Sequence, residues 1–194
     1  MSLLPMLLYA FVTSFTPGPN NIMALVFANK SGFKRTFRFC VGVGVGFFTL
    51  IVLSCYFNLL LQNIIPKIEF VMTIIGVVYM LYLATKIITS NIDDDDDSED
   101  THNRFLTGVL LQFINPKAIL YALTVISTFV LPYHTSNSSL LFYTVILALI
   151  GFMGTFSWSV FGSVFKKLLS KYRRPFNVVM ALLLVYSAIS ILLG

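Results

Sequence analysis

Apolar runs of about 20 residues recur along this chain, and they constrain its fold more than any other feature. That length is what an α-helix needs to cross roughly 30 Å of hydrocarbon. Only 11% of the 194 residues are charged, whereas soluble domains carry about 25%. The sequence therefore predicts an all-α integral membrane protein with six transmembrane helices. These spans cover about residues 3–28, 39–61, 68–88, 105–131, 140–164 and 176–193.

The first apolar run contains the polar stretch Thr16-Pro17-Gly18-Pro19-Asn20-Asn21. Proline lacks a backbone donor and clashes with the preceding turn, so we expect the helix to break here. Non-helical backbone persists in a bilayer only where protein buries it or water reaches it. The stretch is therefore either a binding site for a polar solute that crosses the membrane or a short loop at the membrane edge.

A second polar stretch, Gln112-Phe113-Ile114-Asn115-Pro116-Lys117, interrupts the fourth run. Each half of the chain thus opens with a span that is broken by proline beside asparagine. The first span enters from one side of the membrane and the fourth from the other, so the two halves would be inverted repeats. We expect one domain over residues 1–194, with repeat 1 at about 1–90 and repeat 2 at about 105–194. Paired broken spans of this kind point to the central site of a transporter.

The basic residues predict the orientation in the membrane. Twelve of the 13 Lys and Arg residues fall on one side of the predicted spans, and only Lys67 falls on the other. By the positive-inside rule, both termini face outside. The loop 91–104, with the acidic run Asp93–Asp97, is then a solvated cytoplasmic loop. A divalent-ion site in that run is the less favoured alternative. The basic residues lie in short loops between apolar runs, so the net charge of +5 is no sign of nucleic-acid binding.

Several local features are also predicted. A loop is expected over 29–38 and a turn around Pro66 and Lys67. Gly42 and Gly46 are four residues apart on one helix, a spacing that lets a neighbouring helix approach closely. Cys40 and Cys55 fall about 22 Å apart on the same predicted helix, at 1.5 Å per residue, and so cannot form a disulfide with each other. No basic leader or small-residue cleavage site is seen, so no cleaved signal peptide is expected.

The motifs carry a family resemblance. Phe15 to Asn21, then Gly32-Phe33-Lys34-Arg35, then Gly42-x-x-x-Gly46 resemble the opening of the LysE/RhtB family of amino-acid exporters. Phe113 to Ala118 is similar to the family's second signature. The resemblance covers nearly the whole chain, and the acidic run is a departure from it. Three segments are most similar to the cysteine/O-acetylserine efflux branch of the family. They are 111–113, 127–132 and 181–186.

This resemblance implies a secondary transporter, not an enzyme, in the bacterial cytoplasmic (inner) membrane. It would export small amino acids or derivatives, by proton antiport, with no cofactor and no nucleic-acid partner. Whether it forms a homo-oligomer stays open. No Asp or Glu lies in the middle of a span, and Glu69, near the outer end of the third, is interpreted as a partner of Lys67 rather than a proton carrier.

The candidate substrate-binding residues come from the two broken stretches. Backbone N–H groups at the helix breaks, with asparagine side chains, would hold a carboxylate. Lys117 would pair with that carboxylate, unless its amine only extends to the membrane interface. Carbonyl groups near Pro17 and Gly18 would receive the substrate's ammonium group. The full set is Pro17, Gly18, Pro19, Asn20, Asn21, Gln112, Asn115, Pro116 and Lys117.

Other functions remain as alternatives. The chain could export another class of amino acid, such as threonine/homoserine, leucine or basic amino acids. A metal-ion exporter on a related scaffold would need clusters of Asp, Glu, His or Cys in mid-membrane, and the spans contain none. A membrane enzyme would need a nucleophile with a base, or paired carboxylates. A structural membrane protein would leave the polar breaks unexplained.

Overall fold

The computed structural model describes residues 3–89 and 101–193, and the described chain is helical almost throughout. The predicted all-α class is confirmed. Nine α-helices and one π-helical segment form within these ranges. They are α1 (Leu3–Phe15), α2 (Pro19–Ser31), α3 (Phe33–Tyr56), α4 (Asn58–Thr89), α5 (Thr101–Ile114), α6 (Pro116–Val125), the π-helix Ile126–Val130, α7 (Asn137–Val164), α8 (Lys166–Lys171) and α9 (Arg173–Leu193).

The first apolar run is broken at the predicted place. Helix α1 ends at Phe15, and α2 begins at Pro19, in the first turn of the new helix. Proline fits that position because the first N–H groups of a helix have no partner within it. Pro17 also disfavours the helical conformation of the residue before it. The two prolines thus end one helix and start another within the same apolar run.

The second break has the same chemistry. Pro116 is the first residue of α6, and the Asn115 side chain accepts a hydrogen bond from the backbone N–H of Lys117 at 3.1 Å. This is an N-cap, which satisfies one of the free donors at the start of the helix. The segments Arg104–Ile114 and Pro116–Val130 are bent by 64° relative to each other.

The connection between α2 and α3 differs from the sequence prediction. The loop predicted over 29–38 is wrong, because α2 runs to Ser31 and α3 begins at Phe33. Gly32 alone separates them, with a φ of 80°. Glycine adopts this conformation at little steric cost, so one residue is enough for the turn.

The turn predicted around Pro66 and Lys67 is also wrong. The backbone of α4 is helical from Asn58 to Thr89, and the connection to α3 is the single residue Phe57. An interior proline removes one backbone donor, but a membrane helix can tolerate that loss through local adjustment. The lengths of the apolar runs and the position of the proline therefore failed to predict the connection between α3 and α4.

Four helix pairs make the most extensive contacts in the described bundle. Helices α5 and α7 pack on α3, α2 packs on α7, and α9 packs on α4. A Cβ atom at Gly42 or Gly46 would collide with the backbone of α5, as expected for glycines that let two helices approach. In the same way, Cβ atoms at Gly154 and Gly162 on α7 would collide with the backbones of Ser14 and Leu25, respectively. Both cysteines are free and buried.

The outer surface of the bundle is apolar. Large hydrophobic side chains stand exposed on α1, α7 and α9; Leu182, for example, is 60% exposed. Such a surface suits lipid rather than water. Three described helices are long and apolar enough to cross a membrane: Phe33–Tyr56, Asn137–Val164 and Arg173–Leu192. The bent pair α5–α6 would make a fourth, and the predicted six spans in two inverted repeats stay a prediction.

Two predictions concern parts of the chain that lie outside the described residues. The acidic run Asp93–Asp97 falls between the two described ranges, and α5 begins at Thr101. The pairing of Glu69 with Lys67 concerns side chains that are likewise outside the description.

Candidate functional site

The two proline breaks meet inside the bundle through three amide side chains. Asn20 Nδ2 donates to Gln112 Oε1 at 2.9 Å, and Gln112 Nε2 donates back to Asn20 Oδ1 at 3.3 Å. Asn115 Nδ2 also donates to Asn20 Oδ1, at 3.4 Å. Gln112 is 0% exposed and Asn115 is 2% exposed. Asn20 on α2 is therefore hydrogen-bonded to both sides of the second break.

The Lys117 side chain reaches the first break. Its Nζ donates to Thr16 Oγ1 at 2.9 Å, to the Pro17 carbonyl at 3.1 Å and to the Thr16 carbonyl at 3.3 Å. A Cβ atom on Gly18 would lie 3.2 Å from Lys117 Nζ and 3.3 Å from Cδ, so the absence of a side chain at Gly18 leaves room for the lysine. The amine thus contacts the broken segment just beyond the end of α1.

Asn21 has a different role from its neighbour Asn20. Its Nδ2 donates to the Ser14 carbonyl at 2.8 Å and to the Thr16 carbonyl at 2.9 Å, and its Oδ1 accepts from Thr155 Oγ1 at 3.1 Å. The side chain is 4% exposed. Asn21 therefore uses its hydrogen bonds to hold the end of α1 against α2 and α7.

Two residues that the sequence did not single out for the site also hold the first break. Trp158 Nε1 on α7 donates to the Phe15 carbonyl at 3.0 Å. Ser187 Oγ on α9 lies 3.1 Å from the Pro17 carbonyl and 2.9 Å from the Leu183 carbonyl. These groups satisfy carbonyls that a helix end leaves without an intrahelical partner. Serine and tryptophan in an apolar run give no signal of this role before the fold is known.

A cavity lies at the junction of the two breaks. It contains about 430 Å³ of empty space, part of it open to solvent. Six of the nine predicted site residues line it: Gly18, Asn20, Asn21, Gln112, Asn115 and Lys117.

The other three predicted residues shape the site without lining the cavity. Pro17 supplies the carbonyl that Lys117 and Ser187 contact. Pro19 and Pro116 are each the first residue of a helix. Pro116 also packs closely against α4 at Gly76, where a Cβ atom would collide with the proline ring.

One wall of the cavity is aromatic. The rings of Phe47 and Tyr121 have centroids 5.1 Å apart, and Gly151 packs against the Phe47 ring. Tyr121 is 2% exposed, and its hydroxyl lies near the Ser14 side chain but makes no hydrogen bond of ordinary geometry among the described residues. The cavity therefore combines amides and one ammonium group with an aromatic wall that carries a buried hydroxyl.

This arrangement defines the class of protein. Two helices broken by proline meet around a polar cavity, inside a bundle whose outer surface is apolar, and secondary transporters build their central sites in this way. The family model for LysE type translocators matches residues 11–194, and the chain belongs to this family. It is a multi-pass membrane transporter and not an enzyme. The resemblance predicted from the two proline motifs is confirmed.

Relatives of known name agree with this assignment. The chain is 38% identical over 192 residues to the cysteine/O-acetylserine efflux protein of Salmonella choleraesuis (strain SC-B67), covering 96% of this chain and 98% of the relative. The protein of the same name from Escherichia coli (strain K12) is 38% identical over 183 residues, covering 94% of this chain and 93% of the relative. No solved structure matches the chain.

Proposed function

We propose that this chain exports small amino acids or their derivatives, of the cysteine/O-acetylserine type, across the bacterial inner membrane by proton antiport. The observation that carries the proposal is the meeting of Asn20, Gln112, Asn115 and Lys117 in one cavity between two broken helices. The names of the relatives support the choice of substrate.

A zwitterion fits the two kinds of groups at the first break. Helix α2 begins beside the cavity, and the N–H groups of its first turn form the positive end of a helix dipole. With the amides of Asn20 and Asn115, they are suited to bind the substrate's carboxylate. The carbonyls of Thr16 and Pro17 are suited to bind its ammonium group. The substrate's side chain would then lie against the aromatic wall near Tyr121.

We also propose that the chain crosses the membrane six times, as two inverted repeats. Helices α1–α2, α3 and α4 would form repeat 1, and α5–α6, α7 and α9 would form repeat 2. The contacts support this pairing: α1 and α2 both pack on α7, while α5 and α6 both pack on α3. The loops rich in Lys and Arg would face the cytoplasm, with both termini outside.

The polar groups that line the cavity do not favour a metal-ion exporter. Among the described residues that line the cavity, the polar groups are amides, hydroxyls and one ammonium. An ammonium group repels cations and donates hydrogen bonds only. Amino acids carry a carboxylate that the amides and the N–H groups at the start of α2 can bind, so export of another amino-acid class is the stronger alternative.

Transport from liposomes tests the proposal. Purified protein would be reconstituted into vesicles loaded with labelled cysteine, O-acetylserine, threonine, leucine, lysine or arginine, with and without an imposed pH gradient. We expect gradient-dependent release of cysteine and O-acetylserine. Release of lysine or arginine instead would reject the substrate assignment but keep the exporter. No release of any of them from folded, inserted protein would reject the proposed function.

Variants at the second break test the site. Asn115→Ala should reduce export while the amount of protein in the membrane is unchanged. Asn137→Ala is a matched control, because Asn137 starts α7 outside the cavity. Parallel loss of export and of membrane protein in Asn115→Ala would instead indicate a structural role for the break.

A further inference from the structure

The ammonium group of Lys117 occupies the place proposed for the substrate's ammonium group. It donates to Thr16 Oγ1 and to the carbonyls of Thr16 and Pro17, at 2.9–3.3 Å. The Pro17 carbonyl also contacts Ser187 Oγ. The substrate's ammonium group would therefore compete with Lys117, and with Ser187 when its hydroxyl turns this way, for the two lone pairs of the Pro17 carbonyl.

We propose that Lys117 carries the coupling proton of this transporter. In the substrate-free protein its ammonium group is held by the carbonyls at the first break. When the substrate's ammonium group takes those carbonyls, Lys117 leaves them and releases its proton. This inference rests on the proposed function, and it assigns the antiported proton to a named atom, Lys117 Nζ.

The reason is electrostatic. A charged group inside the bundle is costly unless it is paired or hydrogen-bonded. Among the described residues that line the cavity, none is a carboxylate, imidazole or thiol that could pair with a displaced lysine. In the proposed binding mode the substrate's own carboxylate is held by the N–H groups at the start of α2 and by the amides of Asn20 and Asn115. Two ammonium groups beside the same carbonyls would also repel each other. Loss of the proton removes both the repulsion and the cost of an unpaired charge, so binding of the substrate's ammonium group favours the neutral amine of Lys117.

Among the described residues, the helices that pack against α6 carry phenols and thiols in their buried or half-buried parts. These are Tyr9 on α1, Cys40 and Cys55 on α3 and Tyr79 on α4, with Tyr121 on α6 itself. Lys34, Arg35 and Arg38 lie in the first two turns of α3, and Lys86 lies in the last turn of α4. Arg104 lies at the opposite end of α5 from the break. Among the described residues that line the cavity, Lys117 is the one charged side chain.

The cycle balances for one substrate and one proton. A zwitterion binds from the cytoplasm and displaces the Lys117 ammonium group, and one proton leaves to the cytoplasm. The zwitterion departs outside, Lys117 Nζ takes up one proton from outside, and its ammonium group returns to the carbonyls. One proton therefore enters for each amino acid exported, as antiport requires.

Calorimetry on the wild-type protein gives a direct test. O-acetylserine, which has no thiol to titrate, would be titrated into detergent-solubilised protein at pH 6.5, in buffers of different ionisation enthalpy. The slope of binding enthalpy against buffer enthalpy counts the protons released, and we expect about one per substrate bound. Binding without proton release would overturn the inference and leave the proposed function intact. No binding of any candidate amino acid would count against the proposed function itself.

Two variants sharpen the test. Lys117→Gln has no proton to give, so we expect no proton release and no response of efflux to a pH gradient. Lys117→Arg keeps the charge but cannot be deprotonated in a protein, so it should hold the carbonyls and block net efflux. Gradient-driven efflux by either variant at the wild-type rate would overturn the inference.

The matched control is Lys166→Gln. Lys166 Nζ also donates to a backbone carbonyl, that of Lys30 at 3.1 Å, but it is exposed and lies outside the cavity. We expect wild-type proton release and gradient response in this variant. Loss of proton release in Lys166→Gln as well would mean that the signal does not come from Lys117.

Discussion

Asn20 and Gln112 exchange two amide hydrogen bonds across a separation of 92 residues, at 2.9 and 3.3 Å. One side chain belongs to the helix that starts after the first break, and the other belongs to the helix that ends before the second. Gln112 Nε2 also donates to the Gly108 carbonyl at 3.0 Å, which fixes the orientation of the amide. The two breaks are thus joined directly by side-chain hydrogen bonds.

This pair can be tested by a double-mutant cycle on Asn20→Ala and Gln112→Ala. Each single change leaves the other amide short of a partner, which costs about 1–3 kcal/mol for a buried group. We expect the double variant to be less destabilised than the sum of the singles, with a coupling of about 0.5–3 kcal/mol. Thermal unfolding in detergent would measure it. Strictly additive effects would show that the two amides are energetically independent.

Gly18→Ala should impair transport without unfolding the protein. Gly18 is in an extended conformation that any residue adopts, but its Cβ would lie 3.2 Å from Lys117 Nζ. Displacing the ammonium group weakens hydrogen bonds worth about 1.5–3 kcal/mol each. We therefore expect the rate of efflux to fall by about tenfold or more.

Gly44→Ala is the control for Gly18→Ala. Its Cβ would lie 3.2 Å from Phe152 Cδ2, the same distance from a side chain, but outside the cavity. We expect efflux close to that of the wild type. Equal losses of efflux in both variants would point to general overpacking rather than to Lys117.

Tyr121→Phe should alter selectivity more than stability. The hydroxyl has only the Ser14 side chain near it and makes no hydrogen bond of ordinary geometry among the described residues, so its removal should change the free energy of unfolding little. Tyr121 lines the cavity, and a substrate with a polar side chain can give its hydroxyl the hydrogen bond it lacks, which an apolar side chain cannot. Export of O-acetylserine relative to leucine should therefore fall, as measured by competition in liposomes.

Tyr143→Phe is the matched control in the same apolar cluster. Tyr143 is buried, and its hydroxyl is 2.9 Å from His134 Nε2, outside the cavity. We expect a loss of about 1 kcal/mol in stability, from the lost hydrogen bond, with selectivity unchanged. The opposite pattern in the two tyrosine variants would reject the role given to Tyr121.

Gly108→Ala should disturb the packing of α5 on α3. A Cβ atom at Gly108 would collide with the Phe39 carbonyl, which belongs to the backbone and cannot move aside as a side chain can. Overpacking of this kind costs about 1–3 kcal/mol. A lower unfolding temperature in detergent, together with a smaller amount of folded protein in the membrane, would be the expected result. Wild-type stability would show that the two helices can separate at little cost.

The positions of the helix breaks could be predicted from the sequence, because their cause is local. Pro17, Pro19 and Pro116 lack the donor that a helix needs, and Asn115 is a favourable N-cap residue. The connections at Gly32 and Phe57 could not be predicted in the same way. They depend on where packed helices reverse, and apolar length alone does not mark such points.

The sequence by itself determined the class of protein and six residues that line its cavity. Apolar length, proline and asparagine are chemical properties that hold in any fold of this chain. Only the tertiary structure decided which partners these groups have. Asn20 is hydrogen-bonded to Gln112, and Asn21 holds the end of α1. The side chains of Lys117, Ser187 and Trp158 contact carbonyls at the first break. Those partners lie far apart in the chain. Their contacts depend on how the helices pack against one another, which a local sequence pattern does not predict.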